Sequence, residues 1–307
     1  MKFKRNKEIV LKNRYTKRDW ICLLFVFPAF IYHALVVILP SLKTVFLSFF
    51  DWNGISEPEF VGIANYVEMF TKDTVLPIAF KNTMIWTLIF ITVPIVLSIL
   101  VAVCVTKVKK HSMQMFYRTV YFLPYVLSAA IAGKIWSNLY NPFYGINTMF
   151  ESMGFHNLAQ VLWLGDQKIA LFAVAFVSNW SWWGFVMVLF ISALQQVDPD
   201  LYESASIDGA NGWKSFIHVT LPGIAPTIVF VISISLMWSI LSFDFVWVMT
   251  MGGPGQATEM LSTWIYKNAF VSYRAGYANA ICVLQSFIVL LIFFVNQKIR
   301  KRVEDVG

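Results

Sequence analysis

Few residues of this 307-residue chain carry groups able to do chemistry, and most of those sit in apolar surroundings. Asp244 lies in SFDFVWVMT, Asn179 in SNWSWWGF, and His33 in the apolar run that begins at Trp20. A carboxylate or amide at such a depth is a hydrogen-bonding group for a polar solute or for a neighbouring helix; His33 reads as a packed, hydrogen-bonded residue rather than a proton relay. Trp180, Trp182, Trp183 and Trp238 add indole faces. Helical spacing puts Trp180 and Trp183 on one face, and Ser235, Trp238 and Ser242 on another. Cys22, Cys104 and Cys282 each lie in an apolar run, where a thiol behaves as a small hydrophobe. With no Cys-x-x-Cys or His-x-x-x-His pair, neither zinc nor a disulfide is expected. No Gly-x4-Gly-Lys-Ser/Thr loop is present, so a P-loop nucleotide site is not expected. The clustered carboxylates or histidines of a membrane enzyme are missing from the sequence too; no catalytic residue and no cofactor are anticipated.

The elements that must hold these groups are helices in a bilayer. Hydrophobic residues make up 58% of the chain and charged ones only 13%, with a mean hydropathy of +0.64. A soluble domain is about a quarter charged. Twenty-eight Phe and 12 Trp against 15 Gly and 11 Pro also exclude disordered, collagen-like and disulfide-scaffold chains. Six apolar runs approach the length a helix needs to span the hydrocarbon core, at 20–40, 84–106, 119–139, 169–194, 223–250 and 277–297. Runs such as IFITVPIVLSILVAVCV do not alternate, which rules out a transmembrane barrel. The first run is too long for a signal peptide and no small-residue cleavage site follows it. Pro28, Pro94, Pro124 and Pro226 are expected to kink helices. The fold class is all-α, a polytopic membrane protein of six spans.

Charge orients the spans. Seventeen of the 24 Lys and Arg lie before the first span, in the 107–118 loop, at Lys214 or after the last span. The positive-inside rule puts both termini in the cytoplasm. Basic residues that flank spans do not gather on one folded face, so the net charge of +7 gives no reason to expect nucleic acid as a partner. The segments 41–83, 140–168 and 251–276 then lie outside. In the first of them Phe60, Ile63, Ala64 and Val67 recur at helical spacing and suggest a short amphipathic element. Trp20, Trp52, Trp163 and Trp264 suit an interfacial belt.

One cytoplasmic segment breaks the basic pattern. Residues 195–222, QQVDPDLYESASIDGANGWKSFIHVTLP, carry Lys214 against Asp198, Asp200, Glu203 and Asp208. Asp198-Pro199 reads as an N-cap with proline in the first turn, and Gly209 as a left-handed stop. A helix is expected over 199–208, with a second from Asn211-Gly212 to Leu221-Pro222. The order Glu203-Ser204-Ala205, three residues, Gly209, nine residues, Val219, one residue, Leu221-Pro222 resembles the EAA-x3-G-x9-I-x-L-P loop of ABC-importer permeases. Ser204 for Ala and Val219 for Ile are its two departures. The segments FFDWNG, FVGIANY, YRTVYFLPYVLSAAIAGKIW, NPFYGIN, WLGD and FDFVWVMTMGGPGQATE are similar to the sugar-importer branch of that family, in the style of maltose and glycerol-phosphate permeases. The likeness spans roughly 20–297.

The resemblance implies a type I ABC importer permease fold in a bacterial cell (inner) membrane. It implies a heterodimer with a second permease, a dimer of ABC ATPases beneath, an extracellular solute-binding protein and a carbohydrate substrate. Glu203, Ser204, Ala205, Asp208, Gly209, Ala210, Val219, Leu221 and Pro222 would couple to the ATPase, with Ile207 adding apolar contact. Asn179, Trp180, Trp183, Trp238, Ser242 and Asp244 would line the substrate pathway, and the MGGPGQATE turn before Gln256 would face the binding protein. The chain then divides into a basic cytoplasmic tail (1–19), a first transmembrane helix with an extracellular loop (20–77), a permease core (78–297) holding the coupling loop at 195–222, and a cytoplasmic tail (298–307). An ion-gradient-driven secondary transporter would need intramembrane ionisable groups and usually a repeat; only Asp244 and His33 qualify, and no repeat is visible.

Overall fold

The computed structural model describes residues 17–304, with side chains described over 24–298. The basic residues from Lys2 to Arg14, and the side chains of Lys17, Arg18, Trp20, Cys22, Arg300, Lys301 and Arg302, lie outside the described residues. Helix α1 (Lys17–His33) passes through a π-helical turn (Ala34–Ile38) into α2 (Leu39–Leu47). None of residues 24–47 is buried although nearly all are apolar, a surface that suits lipid rather than water.

A two-stranded antiparallel ribbon follows, β1 (Phe50–Asp51) on β2 (Glu59–Phe60), with Phe50 opposite Phe60. Helix α3 (Ala64–Thr71) comes next, and its inward face is not the one expected. Phe60, Ile63, Ala64 and Val67 are exposed, while Asn65 and Met69 are buried. Phe60 belongs to the ribbon, so the apolar period does not lie on one helix. Asn65 turns inward because its amide donates to the Ser48 and Phe50 carbonyls, each at 2.9 Å.

The remaining helices are α4 (Leu76–Thr106), α5 (His111–Val126), α6 (Ala129–Leu139), α7 (Ile146–Ser152), α8 (His156–Ala159), α9 (Ala170–Leu194), α10 (Pro199–Ile207), α11 (Gly212–Ser215), α12 (Leu221–Gly223), α13 (Ala225–Ile240), α14 (Asp244–Met249), α15 (Leu261–Tyr266) and α16 (Ala275–Glu304). A π-helical turn (Phe216–Thr220) joins α11 to α12, and another (Lys267–Val271) follows α15. The core is α9 against α4, α5 and α13, with Trp86, Phe90, Val174, Val186, Phe190, Ile224 and Val231 at its centre. Helix α9 has no charged residue in 25 and is apolar all round, as a helix enclosed by others must be. Gly184 makes that enclosure possible, since a Cβ there would stand 1.9 Å from the Tyr121 carbonyl of α5. Ser98 Oγ donates to the Trp183 carbonyl at 2.7 Å and ties α4 to α9. A second cluster joins Tyr277, Ala280 and Ile281 of α16 to Leu76, Ala79, Met69 and Leu261.

Among the described residues, four helical segments are long and apolar enough to cross a membrane, and up to six if each of two bent pairs counts as one span. The runs 119–139 and 223–250 are therefore not the single helices expected. Helices α5 and α6 meet at 95°. Pro124 has no N–H and its ring excludes the carbonyl four residues back, so α5 stops at Val126; Ser128 Oγ then accepts from Ile131 N and starts α6 afresh. The segment Gly212–Gly223 meets α13 at 65°, just before Pro226. Helix α13 itself ends at Ile240, and α14 begins at Asp244 after the break at Leu241–Phe243.

Candidate functional site

Two features converge on function: an exposed capped loop at one end of α9, and a cavity between α4, α5, α9 and α13. The loop is built from local rules. Asp198 accepts a hydrogen bond from Asp200 N at 3.0 Å, and Pro199 occupies the first turn of α10. The helix closes at Ile207; Gly209 adopts φ +75°, and Ala210 N returns to the Ala205 carbonyl at 2.9 Å. Nothing stands within 4 Å of a Cβ added at Gly209, so the demand for glycine is one of backbone conformation alone. Asn211 Oδ1 then accepts from Lys214 N at 2.9 Å and caps α11. Tyr202 and Thr220 share a hydroxyl hydrogen bond of 3.0 Å that clamps the two arms.

The motif residues fall into two groups. Glu203, Ser204, Asp208, Gly209 and Pro222 are exposed and Ala205 and Ala210 half-buried, while Ile207 projects with 86% of its surface free. Val219 packs against the main core, and Leu221 is half-buried beside buried Thr220. The first half of the motif thus forms an acidic surface with one aliphatic tooth, and the second half anchors it to the bundle.

The cavity holds about 520 Å³, within the usual size of a small-molecule site. It brings together three of the six residues expected to line the pathway, Trp238, Ser242 and Asp244, and a fourth noted in the sequence for its indole, Trp182, with Ser178 and Ser181 of α9, Tyr125 of α5 and Phe90 of α4. The structure places Asn179, Trp180 and Trp183 elsewhere. Asn179 Nδ2 bonds back to the Ala175 carbonyl at 2.6 Å. Trp180 packs edge-on against Trp136 at 5.4 Å, and Trp183 against Tyr121 at 5.1 Å. The face of α9 that meets the cavity is 178, 181 and 182, one residue around from the face anticipated; its signal was the pair of serines at i and i+3 beside a tryptophan.

Asp244 reaches the cavity because the helix breaks before it. The break leaves the Ile240 carbonyl without a helical partner, and buried Gln285 of α16 donates to it at 2.7 Å while also donating to Ser262 Oγ at 2.9 Å. Gln285, a lone amide in VLQSFIVLL, was not anticipated.

The 250–260 turn is held by side-chain hydrogen bonds. Asn82 Nδ2 donates to the carbonyls of Ala257 and Glu259 at 3.1 and 3.0 Å, and Thr258 Oγ1 to Gly253 O at 2.8 Å. Glu259 is fully buried and pairs with Lys267 at 2.5 Å, its other oxygen accepting from Thr263 at 2.7 Å. A Cβ at Gly252 would fall 2.2 Å from Glu259 Oε2, so the glycine admits the ion pair. Gln256 stays exposed at the rim. Nearby, burial pushes the Asp73 carboxyl upward, but hydrogen bonds from Tyr277, Leu76 N, Trp264 and Val75 N outweigh it and hold the group below its ordinary 3.8. That carboxylate caps α4 and ties the segment between α3 and α4 to α16.

Comparison with known proteins agrees with this architecture. Residues 95–305 match the family described as binding-protein-dependent transport system inner membrane component. The chain is 34% identical over 280 residues to a probable ABC transporter permease protein, YurN of Bacillus subtilis, covering 91% of this chain and 95% of that one. It is also 34% identical to the diacetylchitobiose uptake system permease protein NgcF of Streptomyces coelicolor, over 85% of this chain and 78% of the relative. In fold it matches a chain of a bacterial alginate ABC transporter solved in complex with an alginate pentasaccharide-bound periplasmic protein, with a TM-score of 0.82, 23% identity and coverage of 94% and 96%.

Proposed function

The chain belongs to the family of binding-protein-dependent transport system inner membrane components, and from that premise we propose that it is the membrane-spanning permease subunit of an ABC importer for a carbohydrate. The observation that carries the reading is the capped loop 198–222, an exposed rigid element between two core helices whose motif order is that of a coupling loop. Energy enters from a separate ATPase dimer. Closure of that dimer can move membrane helices only through an element stiff enough to transmit the push, and the caps at Asp198 and Asn211 with the Tyr202–Thr220 clamp supply stiffness.

In this reading Glu203, Ser204, Ala205, Asp208, Gly209 and Ala210 meet the ATPase, Ile207 fills an apolar recess in it, and Val219, Leu221 and Pro222 join the loop to α13. The solute crosses through the cavity walled by Trp238, Ser242 and Asp244, whose hydroxyl and carboxylate oxygens suit sugar hydroxyls and whose indole suits a pyranose face. Asn179, Trp180 and Trp183, expected on the pathway, lie outside the lining of this cavity and pack within the bundle. A second permease completes the pathway as a heterodimer, and an extracellular binding protein delivers the solute to the 250–260 rim. Both termini are cytoplasmic, the protein sits in the bacterial inner membrane, and the permease core covers 78–297. The solute named for one relative, diacetylchitobiose, supports a saccharide as cargo.

The test is purification followed by reconstitution. The chain is expected to co-purify with a second permease and an ATPase, and the vesicles to take up sugar only with ATP and the binding protein. Uptake by the isolated chain driven by a proton gradient overturns the proposal.

A further inference from the structure

The cavity contains a single formal charge. Asp244 is exposed to it and has neither an ion-pair nor a side-chain hydrogen-bond partner among the described residues, and no Lys, Arg or His lines the walls. We propose that Asp244 sets the charge selectivity of the pathway, admitting neutral and amino sugars and excluding uronates and other anionic saccharides. The inference rests on the reading of the chain as a carbohydrate permease.

The rest of the wall supplies what a neutral pyranose needs. Trp238 presents 63% of its surface and packs against Trp182 with ring centroids 5.7 Å apart, so the two indoles form one aromatic stretch of the wall. Ser181 is only 8% exposed, and its hydroxyl is buried with no hydrogen-bond partner. A buried hydroxyl left unpaired is costly, so this one points to a partner that arrives with the solute. A carboxylate is an acceptor only: it takes hydrogen bonds from two sugar hydroxyls or from an ammonium group. A second carboxylate entering among Phe90, Trp182 and Phe243 would meet repulsion that such walls, poor in polar groups, screen weakly. No cation among the lining residues offsets it.

The experiment uses the intact complex of this chain with its second permease and ATPase, purified without nucleotide and titrated with three disaccharide probes: neutral cellobiose or diacetylchitobiose, the glucosamine dimer, and digalacturonate. The neutral and amino probes are expected to bind, with digalacturonate at least about tenfold weaker. Asp244→Asn, close in size, is expected to shrink that gap about tenfold and to weaken the amino probe. Trp238→Ala is expected to weaken all probes by a common factor and leave their ratios unchanged. Digalacturonate that binds the parent complex as well as the neutral probes, or an Asp244→Asn complex with unaltered ratios, overturns the proposal while ATP-driven sugar uptake would leave the permease reading intact. A complex that neither binds nor transports any saccharide overturns both.

Discussion

Gly209 tests the coupling loop most directly, because its geometry separates two reasons for a glycine. Its φ of +75° lies in the left-handed region, and a Cβ would meet no atom within 4 Å. Alanine therefore costs only the backbone term, about 1–2 kcal/mol, which shifts the loop toward a straightened form by roughly a factor of 5 to 30. Asparagine visits the left-handed region far more readily, so its cost is smaller. Aspartate tolerates the same backbone but places a second carboxylate beside Asp208 on the exposed face. Uptake and sugar-stimulated ATPase activity in reconstituted vesicles are expected to follow Gly, then Asn, then Ala, with Gly209→Asp abolishing both while the permease remains inserted at normal level. Gly209→Ala at full activity would refute the conformational argument, and normal coupling in Gly209→Asp would refute the docking role of this face.

Three other perturbations probe the frame around the pathway. Glu259→Gln leaves Lys267 as an unpaired, mostly buried charge and is expected to lower stability by about 3–5 kcal/mol; the double change Glu259→Gln with Lys267→Met should recover much of it, and thermal unfolding in detergent reads both. Asp73→Asn should destabilise the outer loop at neutral pH. Because the folded Asp73 titrates below its ordinary 3.8, its contribution is present above that pH and lost as pH falls through the folded value; the melting difference between parent and variant is expected to be constant above about pH 5 and to vanish in strong acid. Gln285→Leu removes the donor to the Ile240 carbonyl and is expected to cost about 1–3 kcal/mol and to slow transport; unchanged stability and uptake would show that the break between α13 and α14 does not depend on it.

The loop was legible in the sequence because its determinants are local. Asp198-Pro199, Gly209 and Asn211 each act within four residues, and the structure reproduces their caps nearly to the residue. Spans were legible as lengths of apolar chain but not as straight rods. Pro124 announces a break, but its 95° depends on the Ser128 restart, and the α13–α14 break depends on Gln285 lying 45 residues away. Which face of α9 meets the cavity was not legible either. That helix is apolar all round, so its hydrophobic pattern has no phase, and rotation is fixed by contacts such as Gly184 on Tyr121. The Glu259–Lys267 pair escaped for the same reason: acid and base eight residues apart look like two solvated charges until Gly252 is seen to make room for them.

Helix α13 connects the two halves of the site mechanically. Its 16 residues span about 24 Å as a helix. One end follows the anchored half of the coupling motif, where Val219 packs on the core and the chain turns by 65°. The other end carries Trp238 and is followed by Ser242 and Asp244 on the cavity wall. Because a helix transmits displacement along its length, a loop tilted by the proposed ATPase is expected to move the wall through α13, together with α4 and α16 on which α13 packs. Ser235 is the point where this motion is felt by α9, since its hydroxyl accepts from Trp182 Nε1 at 3.3 Å. A rocking α13 must stretch or break that long bond and shift Trp238 against Trp182, which would reshape the aromatic wall of the cavity. In the proposed reading the helix that receives the push also carries Trp238 on the wall of the passage, so ATPase closure would reach the cavity through α13.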